Sequence, residues 1–280
     1  MRSSSLYIVA TPIGNLSDIT LRAIEILKSV DFIAAEDTRH SQRLLSHYGI
    51  DTPCFSLHDF NEDSRIHKII GLLSDGKSVA LISDAGTPLI SDPGFRLVRA
   101  VLQENHRVIP IPGACAAIAG LVASGLPTDR FRFEGFLPAK SSAQETQLQK
   151  LKNETCTLIF YESVHRIDKT IALMKAVLGE NRMVTLAREL TKSFETIIHG
   201  EFGYLSEWMS QHPEQRKGEF VIIVQGAEEK TNSNDEQLYG LLEQLLTELT
   251  VKQSVSLAAK ITGLNANGIY ALALKIKNKG

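Results

Sequence analysis

The stretch Ser83-Asp84-Ala85-Gly86-Thr87-Pro88-Leu89-Ile90-Ser91-Asp92-Pro93-Gly94 follows directly on the apolar run Val79-Ala80-Leu81-Ile82. A short unbroken apolar run that ends in small residues, glycine and proline reads as a buried strand delivering a turn. Two other stretches share this grammar. Thr11-Pro12-Ile13-Gly14-Asn15 follows Leu6-Tyr7-Ile8-Val9-Ala10, and Pro112-Gly113-Ala114-Cys115-Ala116 follows Val108-Ile109-Pro110-Ile111. In an open α/β sheet, ligands bind beyond the carboxyl ends of the strands. Pro, Gly and small residues at those ends let backbone N–H and C=O groups approach a ligand without intervening side chains. Three such loops predict one small-molecule site gripped mainly through backbone.

Working outward, strands are expected at residues 6–10, 31–35, 54–57, 79–83 and 108–111. Helices are expected near 21–27, 41–48, 66–73, 95–103 and 116–123, an alternation that marks an α/β fold. The character changes after Pro127. Phe131-Arg132-Phe133-Glu134-Gly135-Phe136 opens a second unit, followed by a polar helix near 143–151 and strands at 157–161, 183–187, 196–199 and 220–224. The two strands flanking residues 191–195 suggest an antiparallel hairpin, hence a mixed sheet. Residues 228–235 are polar and linker-like, and a small helical tail lies beyond. The expected divisions are therefore 1–127, 128–227 and 228–280.

Bulk composition restricts function mainly by exclusion. The 280 residues carry a formal net charge of −2, with 43% hydrophobic and 22% charged residues. These are ordinary globular values, so a nucleic-acid partner would need a local basic surface. The longest nearly apolar run, residues 114–126, is too short to span a bilayer. No secretory leader pattern opens the chain. Cys54, Cys115 and Cys156 are scattered and form no CxxC, which fits reduced thiols and a cytoplasmic setting. No P-loop, G-x-G-x-x-G, H-E-x-x-H or G-x-S-x-G pattern occurs, and no metal site is expected.

Three further segments bear chemistry. Glu36-Asp37-Thr38-Arg39-His40 crowds two carboxylates, an Arg and a His into a strand-to-helix turn. Asp37 or Thr38 can cap the helix there while Arg39 pairs with an acid. Equally, Glu36 or Asp37 can accept a proton while Arg39 holds a phosphate. Tyr161-Glu162-Ser163-Val164-His165-Arg166 and Ala187-Arg188-Glu189-Leu190-Thr191-Lys192 each close a strand of the second unit, where their side chains can face the first unit's loops. The tail from residue 251 onward carries Lys252, Lys260, Lys275, Lys277 and Lys279 and no acid. Ala259, Gly263 and Ile269 have helix-turn-helix spacing, and lysines concentrated on such a unit, attached by a polar linker, favour phosphate contact over a merely packed hairpin.

Taken together, Thr11 to Leu16, Glu36 to Arg39, Ser83 to Gly94, Ile111 to Ala114 and Phe160 to Ser163 resemble the small-subunit ribosomal RNA methyltransferases. These belong to the tetrapyrrole-methylase-like (class III) group of S-adenosylmethionine enzymes. The resemblance implies two α/β domains with S-adenosylmethionine in the cleft between them, a small C-terminal helical unit, and a homodimer. It implies methylation of a cytidine ribose 2′-hydroxyl in 16S ribosomal RNA of the small ribosomal subunit. By position, Gly86-Thr87-Pro88 takes the place of the group's G-D-P turn. Thr87 replaces its acid and Asp84 and Asp92 flank it, so which carboxylate meets the methionine ammonium stays open. The resemblance places Pro12 and Pro88 in the cofactor loops, Ile90 near the ligand, Ala114 and Cys115 at the adenosine, and Tyr161, Glu162, Arg188 and Glu189 on the opposite wall.

Methyl transfer from a sulfonium is a single in-line displacement that needs aligned reactants and managed charge. A ribose hydroxyl is a weak acid, so a base or a favourable field helps. Glu36, Asp37 and Glu189 are the candidate carboxylates, with Lys192 and Arg39 as field or phosphate groups. Arg39, Lys252, Lys260, Lys275 and Lys277 are the candidate RNA contacts. Two rivals remain: a carbon methyltransferase acting on a tetrapyrrole precursor, and a non-catalytic assembly factor that binds an adenosine-type ligand and RNA. A basic tail has no clear use in the first, and crowded carboxylates at residues 36–40 have none in the second.

Overall fold

The computed structural model describes residues 4–58, 61–228 and 231–277, so Lys279 lies outside it. The chain divides into two compact units, Met1–Ala227 and Glu228–Gly280.

The first unit begins with an alternating series: β1 (Ser5–Val9), α1 (Leu21–Ser29), β2 (Phe32–Ala35), α2 (Thr38–His47), β3 (Cys54–Ser56), α3 (Glu62–Ser74), β4 (Val79–Ile82), α4 (Phe95–Gln103), β5 (Arg107–Ile111) and α5 (Ala116–Ala123). The strands form one sheet in the order β3-β2-β4-β1-β5. All four pairings are parallel. Every residue of β4 is buried, and its side chains alternate between two cores. Ala80 and Ile82 join one with Leu27, Ile33 and Leu45, while Val79 and Leu81 join the other with Ile69, Leu73, Leu97 and Val101. A strand covered on both faces must be apolar throughout, which is why the Val79–Ile82 run carries no polar alternation. Because β4, β1 and β5 are neighbours, the three loops singled out above emerge side by side.

A second series follows: β6 (Phe131–Phe136), α6 (Ser141–Leu151), β7 (Thr157–Ser163), α7 (Ile167–Leu178), β8 (Met183–Arg188), β9 (Thr196–Glu201), α8 (Phe202–Gln211) and β10 (Glu219–Val224). Their order is β6-β7-β10-β8-β9. Only β6–β7 is parallel and β8–β9 is an antiparallel pair, so the sheet is mixed as the hairpin signal implied. One face carries a core of Phe160, Ile171, Met174, Phe202, Leu205 and Ile222. The opposite face is covered by α5, whose Ala117 and Leu121 pack with Ile159, Val221 and Ile223. Gly120 makes this approach possible, since a Cβ there would lie 3.1 Å from a Val221 methyl. The helix that closes the first series thus roofs the second sheet.

The second unit holds α9 (Thr231–Glu248), α10 (Val251–Thr262) and α11 (Ala266–Lys277). Leu238, Leu242, Val255, Ala258, Ile269 and Ala273 form its core. Thr250 and Gln253 make a reciprocal capping box at the start of α10, and Gly263 ends that helix with a left-handed φ of 70°. The linker expected at residues 228–235 is corrected here: from Thr231 onward it is already α9. The sequence Thr231-Asn232-Ser233-Asn234-Asp235-Glu236-Gln237 contains no apolar residue, so periodicity gives no helical signal before Leu238. Glu229 and Lys230 of that stretch lie outside the described residues.

Candidate active site

Hydrogen bonds across the first sheet's carboxyl edge tie its loops together. Thr11 and Gly86 exchange backbone bonds of 2.8 and 3.1 Å, and the Thr11 hydroxyl donates to the Ser83 carbonyl at 3.2 Å. Gly86 has a φ of 82°, in the left-handed region where a Cβ is penalised. The Thr87 hydroxyl donates to the Ala114 carbonyl at 3.0 Å, bridging the β4 and β5 loops. That is what the Thr in place of an acid does here. Leu89 and Ser91 also take positive φ, of 73° and 70°, without glycine's freedom.

Beyond these loops lies a cavity of about 300 Å³. Its first wall is Ile13, the backbone-rich segment from Ala85 to Thr87, Ile90 to Asp92, and Cys115 with Ala116. Its second wall comes from the ends of β6, β7, β8 and β10: Phe136, Tyr161 to Ser163, Ala187, Leu190 and Glu219 to Val221. Tyr161 joins the walls, because the Ala117 N–H at the start of α5 donates to its hydroxyl at 3.1 Å. Burial pushes the Tyr161 hydroxyl well above the usual tyrosine range, so it stays protonated.

Acidic groups gather behind the first wall. The Asp84 N–H donates to Glu36 at 3.4 Å, and the Asp37 N–H donates to the Asp84 carboxylate at 3.1 Å. Asp92 lines the cavity. Burial raises its carboxyl from 3.8 to about 6; the Ser83 hydroxyl offsets part of the rise, and the Glu36 and Asp84 charges add to it. Burial is the main cause, and the two neighbouring carboxylates make the spot more hospitable to a cation than to an anion. An ammonium or sulfonium entering beside Asp92 would lower the carboxyl's proton affinity and relieve the repulsion.

Several side chains named from the sequence are spent on structure. Asp37 caps α2 by accepting from the Arg39 N–H at 2.8 Å, and also pairs with the exposed Arg39 guanidinium at 3.4 Å. The Arg39 N–H, chiefly, holds the Asp37 carboxyl below its usual range. Both readings of that turn on the structural side, capping and acid pairing, are thus realised by one residue. Glu162 is buried and accepts from the Ser163 N–H at 2.8 Å and the Thr170 hydroxyl at 2.6 Å, with Arg166 at 3.3 Å. It touches the cavity with its carboxylate already engaged.

Arg188 turns away, donating to the carbonyls of Lys217 and Phe194 and to the Gln215 side chain. Glu189 has a φ of 51° and pairs with Lys192 at 2.8 Å, and Lys192 reaches Glu219 at 2.9 Å. Burial alone would raise Glu189, but bonds from Lys192 and the Glu219 N–H outweigh it and hold the carboxyl low. Burial likewise opposes the Lys192 charge, and the two glutamates more than restore it.

The cavity lining therefore brings together Gly86, Thr87, Ile90, Asp92, Cys115, Tyr161 and Glu162 from the expected cofactor residues. Pro12, Asp84, Pro88, Ala114, Arg188 and Glu189 fall outside the lining, as do Glu36, Asp37 and Lys192, although Lys192 is one hydrogen bond from the lining residue Glu219. Lys252, Lys260, Lys275 and Lys277 are all exposed in the helical unit. Sequence reasoning did not single out Ser91, Phe136, Glu219 or Val221. Ser91 lies in the 83–94 block and Phe136 and Glu219 at strand ends, which is the signal that could have found them, whereas Val221 lies inside β10. Among the described residues, no cluster of three His, Cys, Asp or Glu could hold a metal ion, and no helix is long and apolar enough to cross a membrane.

Comparison with known proteins gives two family matches. Residues 5–206 match the Tetrapyrrole (Corrin/Porphyrin) Methylases, and residues 233–277 match the RsmI C-terminal HTH domain. The chain is 54% identical over 272 residues to ribosomal RNA small subunit methyltransferase I of Haemophilus influenzae, covering 96% of each chain. It is 50% identical to the protein of that name from Escherichia coli O157:H7, covering 96% of this chain and 94% of that one. Among solved structures, diphthine synthase aligns with a TM-score of 0.61 at 12% identity, covering 80% of this chain and 90% of that one. Cobalt precorrin-4 methyltransferase aligns at 0.59 and 17% identity, covering 79% and 94%. At such identities the structural likeness speaks for the fold.

Proposed function

Because the chain belongs to the tetrapyrrole methylase family, and within it to the ribosomal RNA small subunit methyltransferase I group, we propose that this methyltransferase uses S-adenosylmethionine to methylate the ribose 2′-hydroxyl of a cytidine in 16S ribosomal RNA. The observation that carries the cofactor reading is the two-walled cavity, backbone-rich on one side and holding the half-buried Asp92 beside Glu36 and Asp84. Such a site fits a small ligand bearing positive charge. When bound, S-adenosylmethionine supplies an electrophilic methyl group on a sulfonium sulfur.

The chain's own residues then divide the work. Gly86 and Thr87 present backbone to the ligand, and Asp92 balances its positive charge. Tyr161 and Leu190 close the opposite side and exclude water. Lys192, held as an ammonium by Glu189 and Glu219, supplies a positive field where a ribose oxygen gains negative charge. Asp37 and Glu189, both held low, are weak proton acceptors, which leaves Glu36, behind the first wall and outside the cavity lining, as the candidate base to test by substitution. The exposed lysines of α10 and α11, with Arg39, contact RNA phosphates.

We keep 1–127, 128–227 and 228–280 as domain boundaries and expect a cytoplasmic homodimer. The exposed Phe95 and Leu102 on α4, with Val98 between them, give self-association an apolar surface.

Incubating the protein with methyl-labelled S-adenosylmethionine and small ribosomal subunits from a strain lacking this gene tests the proposal. Label should enter 16S RNA, and mass spectrometry of the digested RNA should find a 2′-O-methylcytidine. No incorporation, or a methyl on a base, would overturn it.

A further inference from the structure

Strand β6 contains a built irregularity. Phe133 pairs with Ile159, but the next paired residue is Gly135, opposite Phe160, and Phe136 then pairs with Tyr161. Glu134 is the extra residue of a β-bulge. Its carboxylate points away to α6, accepting from Gln147 at 2.7 Å, and also pairs with Arg132. Gly135 beside it takes a positive φ of 64°, a conformation glycine adopts freely, and a Cβ there would sit 3.2 Å from the Ser91 hydroxyl of the cavity loop.

The consequence follows from the period of a strand. Phe133 and Phe136 are an odd number of residues apart and in a regular strand would face opposite sides of the sheet. The bulge shifts the register by one and turns Phe136 onto the same face as Phe133, Ile159 and Tyr161. Both rings then meet Tyr161 edge-on, Phe133 at 5.0 Å and 71°, Phe136 at 5.6 Å and 65°. Phe133 is part of the packed core beside α5, whereas Phe136 lines the cavity with 53% of its surface exposed. The fold thus spends a bulge and a left-handed glycine to hold a wettable aromatic face, braced by Tyr161, at the edge of the methyl-transfer cavity.

We propose that Phe136 is the stacking platform for the nucleobase of the nucleotide being methylated; this rests on the RNA reading above. A ribose hydroxyl reaches a cavity of this kind only if its nucleotide is drawn out of the RNA stack, which leaves one base face needing a partner. A rigid, exposed aromatic ring supplies that partner for any base. It therefore contributes to RNA positioning and leaves base identity to hydrogen-bonding groups.

Phe136→Ala, Phe136→Leu and Phe136→Trp in the full chain test this. The readouts are affinity for unmethylated small ribosomal subunits, KM and kcat with those subunits, and calorimetric cofactor affinity. Stacking of ~1–3 kcal/mol per base, at ~1.4 kcal/mol per tenfold, predicts a rise of about 5- to 140-fold in the subunit Kd and KM for the Ala variant. The Leu variant, which keeps apolar bulk but no flat face, should lose most of the same affinity. The Trp variant should bind subunits within a few-fold of the parent, and because Phe136 stands at the edge of the cavity the cofactor Kd should change far less than the subunit Kd in the Ala and Leu variants. An unaltered subunit Kd and KM in the Ala variant overturns the proposal. So does a loss of cofactor affinity with RNA affinity intact, which would give the ring to the cofactor's adenine. Equal loss in Ala and Trp variants also overturns it. If the parent protein itself methylates no ribosomal RNA, the RNA reading has failed, and that outcome is distinct from these three.

Discussion

Asp92→Asn should make the ligand-free protein more stable at neutral pH while crippling its hold on the methyl donor. In the fold, burial together with the Glu36 and Asp84 charges lifts this carboxyl from 3.8 to about 6. A folded-state value above the unfolded one means the native state binds the proton more tightly. The associated stability is fully present below pH ~4 and is lost as the pH rises through ~6. At ~1.4 kcal/mol per pKa unit the displacement corresponds to ~3 kcal/mol if undamped, and water at the half-open cavity reduces this to ~1–2 kcal/mol. Asn keeps the shape and removes the charge. Urea titrations should therefore find the variant ~1–2 kcal/mol more stable than the parent at pH 7.5, with the gap closing near pH 4. Calorimetry should meanwhile find S-adenosylmethionine binding weakened ~10- to 150-fold, the span of a hydrogen bond to a charged group. The parent's own affinity should fall below pH ~6 as Asp92 protonates, and the variant's should not. A variant that is less stable than the parent at pH 7.5, or that binds the cofactor normally, would refute the assignment of Asp92 as the cation's partner.

Gly86→Ala places a Cβ on a backbone with φ of 82° and 3.3 Å from an Ile13 methyl. It should cost ~1–2 kcal/mol in urea titrations and weaken cofactor binding at least ~10-fold, and undiminished affinity would count against this loop as the ligand cradle. Glu162→Ala leaves Arg166, the Thr170 hydroxyl and the Ser163 N–H without their shared acceptor. A loss of ~3 kcal/mol or more is expected, and a change under ~1 kcal/mol would show that these groups find other partners. Removing residues 228–280 takes away the exposed Lys252, Lys260, Lys275 and Lys277. RNA binding should weaken and its logarithmic salt dependence become shallower by ~0.7–0.9 per lost phosphate contact, with cofactor affinity retained; an unchanged salt slope would return the unit to a purely structural role.

The strands and their ligand-bearing loops were legible because the physics that makes them is local. Val79–Ile82 is apolar throughout because it is covered on both faces, and Gly86 and Pro88 announce a turn by their own backbone preferences. Strand order was not legible, since parallel neighbours such as β4 and β1 meet through space. The helix Phe202–Gln211 escaped because Phe202-Gly203-Tyr204-Leu205-Ser206 gives no clear starting signal after β9. The candidate site was legible by segment and much less by side chain. Arg188 stands at the end of β8 and Cys115 in the loop after β5, at the N-cap position of α5. Only Cys115 meets the cavity, because Arg188 finds acceptors at residues 194, 215 and 217 that no local pattern foretells. Phe136 was hidden for a related reason: simple alternation from Phe133 sends it to the wrong face, and only the extra residue at Glu134 brings it back.

The distribution of backbone strain explains how two sheets built from separate stretches of chain hold one cavity in shape. Among the described residues, five non-glycines take positive φ, and four of them are Leu89, Ser91, Glu189 and Thr191. Such conformations cost ~1–2 kcal/mol each and persist only where surrounding contacts over-determine them. Here those contacts run from one wall to the other. The Asn15 N–H donates to the Thr191 hydroxyl at 3.1 Å, and Gly14 lies so close to Lys192 that a Cβ would be 2.5 Å from its side chain. Ser91 rests against the left-handed Gly135 of the β6 bulge. The strained turns are therefore the points where the walls touch. Relaxing Thr191 would release the β1 loop, and relaxing Ser91 would release the bulge that aims Phe136. A cavity braced at both ends in this way needs no ligand to bring its walls together. What a ligand adds is electrostatic: burial, with smaller contributions from Glu36 and Asp84, disfavours the Asp92 charge, and a cationic ligand beside it offsets that cost.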